Sequence, residues 1–105
     1  MRVAFDVDDT LVVEEPYKES HVDYSLMNVL FWFVDNRHEV FVWSGGGVEY
    51  AKRWAEKLGI EKFVQIIPKV KGQNIDLAFD DWENNLATVT VLVPRDYMTY
   101  GEPKE

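Results

Sequence analysis

An α/β domain built on a parallel sheet is the fold class this sequence predicts, and three observations predict it. Five short apolar runs recur along the 105 residues, and they are continuous, not alternating, which is the profile of strands covered on both faces. Segments of helical period separate the first three of these runs. Four of the runs end at charged or hydroxyl residues, and the crevice of a parallel α/β sheet lies just past the carboxyl ends of its strands.

The elements follow in order. Residues 2–7 read as the first strand. Residues 12–22, polar and interrupted by Pro16, read as a loop. Over 23–36, Leu26, Val29, Leu30, Phe33 and Val34 make a helical stripe, with Asp23 or Ser25 available as N-cap. Val40–Trp43 is a second strand, broken by Ser44-Gly45-Gly46-Gly47. From 48 to about 58, Val48, Ala51, Trp54, Ala55 and Leu58 recur at helical spacing, and Gly59 stands where a C-terminal cap belongs. Phe63–Ile67 reads as the third strand, ended by Pro68. Ile75–Phe79 is the fourth, running into Asp80-Asp81, and the β-branched run Thr88–Val93 is the fifth, closed by Pro94. Residues 82–87 are too few for a helix, so the sheet should be simpler there. Residues 94–105 read as a tail, and no repeat or internal boundary divides the chain.

Composition narrows the class. A chain of 105 residues with 47% apolar side chains supports one domain with one real core, not a catalytic domain plus a second. The absence of cysteine excludes disulfides and thiolate metal sites and fits a reducing compartment. No apolar run approaches the roughly 18 residues of a membrane span, and the chain opens on a strand and not on a basic-then-apolar leader. A soluble, cytoplasmic protein without a membrane partner is the expectation. The net charge of −8 argues against generic binding to nucleic acid, which is built on Lys and Arg, yet it leaves room for one phosphate in one locally neutralised pocket.

The most informative stretch is Val3-Ala4-Phe5-Asp6-Val7-Asp8-Asp9-Thr10, an apolar run stopping at three carboxylates and a hydroxyl. Two like charges about 4 Å apart repel by roughly 4 kcal/mol at an effective dielectric near 20, so such a cluster needs a cation, a shared proton or splaying into water. The second strand ends at Ser44 and three glycines, whose backbone N–H groups can approach a phosphate closely. Lys69 and Lys71 follow the third strand, and Asp80-Asp81 end the fourth. Hard carboxylate oxygens for Mg²⁺, with a lysine and a hydroxyl for phosphate oxygens, make a coherent site on one rim of the sheet.

This ordered set resembles the haloacid dehalogenase (HAD) superfamily of phosphohydrolases. Asp6-Val7-Asp8-Asp9-Thr10 is similar to its Asp-x-Asp-x-Thr motif, Ser44 to its second motif, Lys69 or Lys71 to its third, and Asp80-Asp81 to its paired acids. The resemblance spans residues 3 to about 85 and implies a three-layer sandwich around a mostly parallel, five-stranded, Rossmann-like sheet. It implies a Mg²⁺-dependent phosphomonoester hydrolase in which Asp6 is the nucleophile that becomes an aspartyl phosphate. Asp8 would protonate the leaving oxygen and then activate water. Asp6, the main-chain carbonyl of Asp8, and Asp81 would hold the metal, with Asp80 as an outer or alternative ligand. Ser44 would bond the phosphoryl oxygens and Lys69, nearer its strand than Lys71, would neutralise them, while Thr10, Gly45 and Gly46 would line the substrate. Position 9 is Asp where many members have Gly, and Asn84 and Asn85 stand near where another acid is common. The segments between the motifs hold only a helix and a strand each, so the chain looks like a capless member, open to a bulky substrate or a macromolecular end. Val42-Trp43-Ser44-Gly45 and Leu77-Ala78-Phe79-Asp80-Asp81 are more loosely similar to the phosphatase domain of polynucleotide kinase/phosphatases.

Plainer readings compete. Asp6, Asp8, Asp80 and Asp81 can be solvated turn acids, Ser44 a helix cap, and Lys69 a surface lysine. His21 and His38 lie away from the strand ends. Phe31 and Trp32 either widen the core stripe or form a contact patch, and Trp82 either packs or stacks on a ligand at the site mouth. A non-catalytic metal-binding scaffold is the rival function. A receiver domain fits poorly, because it places its lysine after the fifth strand and its phosphoacceptor after the third.

Overall fold

Val3, Ala4 and Phe5, all fully buried, form the middle of β1 (Arg2–Asp6), the central strand of the sheet in this computed structural model, which describes residues 1–95. After β1 come β2 (Val12–Val13), β3 (His21–Val22), α1 (Tyr24–Asp35), β4 (Glu39–Trp43), α2 (Val48–Leu58), β5 (Gln65–Ile66), β6 (Ile75–Asp80) and β7 (Ala87–Leu92). The five-stranded sheet has the order β5-β4-β1-β6-β7, and every pairing in it is parallel. The α/β class and the parallel sheet are therefore as the sequence predicts.

Alternate residues of β1 and β4 divide between two faces. Val3, Phe5, Val40 and Val42 share one core with Leu26, Met27, Leu30 and Phe33 of α1 and Ala51 and Ala55 of α2. Ala4, Phe41, Trp43, Ile75 and Ala78 form the core of the other face. Both helices thus serve the first face, and among the described residues the second carries no helix. It is closed by Ile67, Leu86 and Ala87 and by Arg2, whose guanidinium lies 4.5 Å from the centre of the Phe41 ring and donates to the carbonyls of Gln73 and Asn74. The coarse architecture is a parallel sheet with two helices; the helical third layer expected from the sequence is not seen among these residues.

Local chemistry sets the element boundaries. Asp23, not Ser25, caps α1, its side chain accepting from the Leu26 N–H at 2.9 Å. Gly59 ends α2 in the left-handed region at φ 74°, where a Cβ is penalised. The expected loop over 12–22 is instead a short antiparallel ribbon, with Val12 facing Val22 and Val13 facing His21. Val12 and Val13 are buried, and that burial offsets the cost of ordering a polar connection. The third strand is shorter than the predicted 63–67, because a turn closed by the Phe63 N–H on the Ile60 carbonyl uses its first residues. Phe63 packs instead edge-on against Phe31 at 5.8 Å.

The link from β6 to β7 has no helix, as its length predicts, yet the two strands are parallel neighbours in register from Ile75–Ala87 to Asp80–Leu92. An extended six-residue link reaches about 20 Å, enough to return along a six-residue strand of about 17 Å. Asn84 organises that return: its side-chain oxygen accepts from the Leu86 N–H, and its amide donates to the Trp82 carbonyl and to Asp80. Of the tail expected from 94 onward, only Pro94 and Arg95 fall among the described residues.

Candidate metal and phosphate site

The chain leaves β1 for β4 and β5 on one side and returns to β6 and β7 on the other, so β1 borders the switch in strand order. At such a switch the loops beyond the strand ends diverge and leave a crevice. Asp6 ends β1 and Asp80 ends β6, while Ser44 follows β4 directly. Asp6, Asp80 and Asp81 each present a carboxylate oxygen within 4.8 Å of the others. Asp80 is fully buried and Asp6 is only 5% exposed, which turned-out surface acids are not.

Lys69 reaches into this group. Its ammonium lies 3.1 Å from Asp6 Oδ1 and 2.7 Å from Asp80 Oδ2. Lys71 is exposed, so of the two candidate lysines it is Lys69 that meets the carboxylates. Thr10 donates to Asp6 Oδ2 at 3.5 Å, a long bond. Asp80 is engaged on both oxygens: Oδ1 accepts from the Trp82 N–H at 3.0 Å, and Oδ2 takes Asn84 at 3.2 Å beside Lys69. Trp82 itself is 69% exposed, a ring held at the rim by its backbone and not packed into the core.

One ammonium cannot neutralise three carboxylates. Burial, reinforced by the charge of Asp80 and opposed by Lys69, pushes Asp6 up to about 7. Burial and Asp80 raise Asp81 as well. Burial by itself would lower Lys69, but the bonds and charges of Asp80 and Asp6 outweigh it and hold it raised, as an ammonium. Asp6, Asp80 and Asp81 thus form a group of hard oxygen donors that could hold a metal ion.

Asp8 stands apart from the three-carboxylate group. Its Oδ1 accepts from the Tyr50 hydroxyl at 2.6 Å, and the Glu14 carboxyl lies beside it; Glu14 is raised by burial and by Asp8. Burial and the bond to Asp8 push Tyr50 up to about 12, so its hydroxyl remains a donor at neutral pH. Ser44 is buried and its Oγ accepts from the Gly46 N–H at 3.0 Å, folding the glycine stretch back on itself. A Cβ on Gly46 would lie 3.1–3.2 Å from the Tyr50 ring, and Gly47 sits at φ 106°, so both need glycine. Gly45 is exposed with open space around it.

Three residues matter here that the sequence analysis did not single out. Tyr50 lies at the edge of the apolar stripe of α2, and a phenol half-buried there needs a polar partner, which is the one signal for it. Glu14 belonged to what read as a plain loop. Arg95 gave no sequence signal: its guanidinium donates to the Asp9 and Thr10 carbonyls at 2.8 and 2.6 Å and pairs with Asp23 at 2.9 Å. Asp9 adopts φ 59°, a left-handed conformation that Asp tolerates better than most residues, which accounts for its standing where a glycine is common. Neither His21 nor His38 belongs to the carboxylate group. Among the described residues no helix is long and apolar enough to cross a membrane. Comparisons with family models, with curated proteins and with solved structures returned no match.

Proposed function

We propose that this chain is a capless, Mg²⁺-dependent phosphomonoester hydrolase of the HAD type, acting through Asp6. The observation that carries the reading is the junction of Asp6, Asp80 and Asp81 with Lys69 at adjacent strand ends, all four at positions the motif set names. A Rossmann-like HAD domain, in a reducing cytoplasmic setting, is the architecture and location that go with it.

Asp6 and Asp81 would hold Mg²⁺ directly with the Asp8 main-chain carbonyl. Asp80, already committed to Lys69, Trp82 and Asn84, is better suited to the outer role. When bound, the ion would supply positive charge to the phosphoryl oxygens and to the Asp6 carboxylate. The chemistry of the chain's own residues follows. An Asp6 oxygen attacks phosphorus, the bond to the ester oxygen breaks, and Asp8 delivers a proton to the departing alcohol. Water, losing a proton to Asp8, then attacks the aspartyl phosphate and releases inorganic phosphate with Asp6 restored. Lys69, with donors from Ser44, Gly45 and Gly46, would offset the charge on the phosphoryl group. With no cap among the described residues, water must be excluded by the substrate itself, which favours a bulky nucleotide or a phosphorylated macromolecular end. Trp82, exposed beside the acids, is placed to stack on such a group.

The test is phosphate release from p-nitrophenyl phosphate, nucleotides, sugar phosphates and 3′- or 5′-phosphorylated oligonucleotides, with Mg²⁺ or EDTA, for the wild type and Asp6→Asn. Release that needs Mg²⁺ and falls at least about 10³-fold in the variant supports the reading, since the nucleophile has no substitute. Mg²⁺ binding with silence across the panel would favour the non-catalytic scaffold.

A further inference from the structure

In the reaction proposed above, Asp8 must present a carboxyl oxygen to the ester oxygen, yet its side chain follows a strand end and is partly exposed. A side chain there has several rotamers open to it, and an acid misplaced by 1 Å can cost about 10²-fold. The Tyr50 hydroxyl, 2.6 Å from Oδ1, is the contact that orients it. Tyr50 itself is well held. It is the third residue of α2, a helix anchored by the buried Ala51 and Ala55, and its ring lies against Gly46, where a Cβ would come within 3.1–3.2 Å. Glu14, raised by burial and by its charge and hydrogen bond with Asp8, is a second neighbour of that carboxylate, but it belongs to the exposed connection after β2, whereas Tyr50 is fixed on a helix.

We infer that Tyr50 is the positioning residue for Asp8, joining the first motif to the glycine turn of the second, so that its loss is felt where the leaving group needs a proton. The inference rests on the phosphatase reading. An alkoxide is a poor leaving group and needs a proton as the phosphorus–oxygen bond breaks, whereas p-nitrophenolate departs as the anion. A built support for the proton donor is useful only for the first kind, which includes sugar and nucleoside phosphates.

The experiment compares kcat/KM for a nucleoside 5′-monophosphate and for p-nitrophenyl phosphate in the wild type and in Tyr50→Phe, with Mg²⁺ present. This constant covers the steps up to the aspartyl phosphate and excludes the shared hydrolysis that follows. Loss of placement should lower it about 10- to 100-fold for the nucleotide, within the range of general acid catalysis, and less than about 3-fold for p-nitrophenyl phosphate. A role confined to folding would lower both in proportion, and that outcome, or no change in either, overturns the inference. A double-variant cycle adds an independent arm: Tyr50→Phe should cost nothing further in an Asp8→Asn background, and an additive loss overturns it. Should Tyr50→Phe fold poorly in thermal melts, Tyr50→Leu, which keeps apolar bulk at the position and lacks the hydroxyl, should show the same selectivity. A wild type inactive on both esters overturns the phosphatase reading, and the inference with it; an active wild type with unselective variants overturns only the role of Tyr50.

Discussion

At the residue scale, Lys69 has the most to lose. Its ammonium is the only cation against Asp6 and Asp80 among the described contacts, and Asp80 is fully buried. Removing one partner of a buried ion pair costs about 3–5 kcal/mol, because the charge left behind is uncompensated. Lys69→Ala should therefore destabilise the metal-free protein on that scale at pH 8. The loss should be smaller at pH 5.5, where Asp6, already raised to about 7, takes up a proton instead. Urea titrations at the two pH values check this, and an equal loss at both would show that Asp6 is not the responding group. Gly45 offers the opposite case. Open space surrounds it, so Gly45→Ala should leave the melting temperature within about 2 °C, corresponding to about 0.5 kcal/mol.

At the element scale, the turn after β1 is held from a distance. The N–H groups of Leu11 and Val12 reach back to the Asp6 and Val7 carbonyls, and Arg95, beyond β7, clamps the Asp9 and Thr10 carbonyls from the other side. Arg95 also pairs with Asp23, the N-cap of α1, and its guanidinium is only 11% exposed. The Leu26 N–H and Arg95 together outweigh the effect of burial and hold Asp23 below the usual carboxylate range. Arg95→Ala should cost about 1.5–3 kcal/mol, the worth of hydrogen bonds to a charged group. Because the turn carries Asp6 and Asp8, the variant should, if the chain is the hydrolase proposed, also lose turnover while retaining its helices by far-ultraviolet circular dichroism. A stability loss with unchanged kcat would confine Arg95 to the fold. Removal of the left-handed cap is simpler: Gly59→Ala should cost about 1 kcal/mol in chemical denaturation.

At the scale of the whole molecule, the buried acids set how stability responds to pH. Asp6 rises from 3.8 to about 7 on folding, so between those values the native state binds more protons than the unfolded chain. Its contribution is complete below about pH 4 and is lost as pH passes 7, the reverse of an ordinary paired carboxylate. Asp23, lowered in the fold, contributes in the ordinary sense and is lost only in acid. The metal-free protein should thus be most stable near about pH 4–5 and weaken toward pH 8. If Mg²⁺ binds Asp6 as proposed, it competes there with the proton, and it should then raise the melting temperature at pH 8 far more than at pH 5. Calorimetry with Mg²⁺ or EDTA at both values checks the metal site without any substrate. Much of this molecule was legible in its sequence. Apolar runs and helical stripes announce the parallel sheet and both helices, because burial is written into residue type at a fixed period. The spacing of Asp6, Lys69 and Asp80-Asp81 after their strands likewise announces a shared rim, because parallel strands deliver their carboxyl ends to one side. Other features depended on three-dimensional proximity and had no local period: the ribbon over 12–22, the second face with no helix among the described residues, Asp8 drawn away to Tyr50, and the reach of Arg95 to Asp9. A hydrogen bond between residues 42 apart, or 86, is decided by how the sheet is ordered and where its loops return, and only the tertiary structure holds that information.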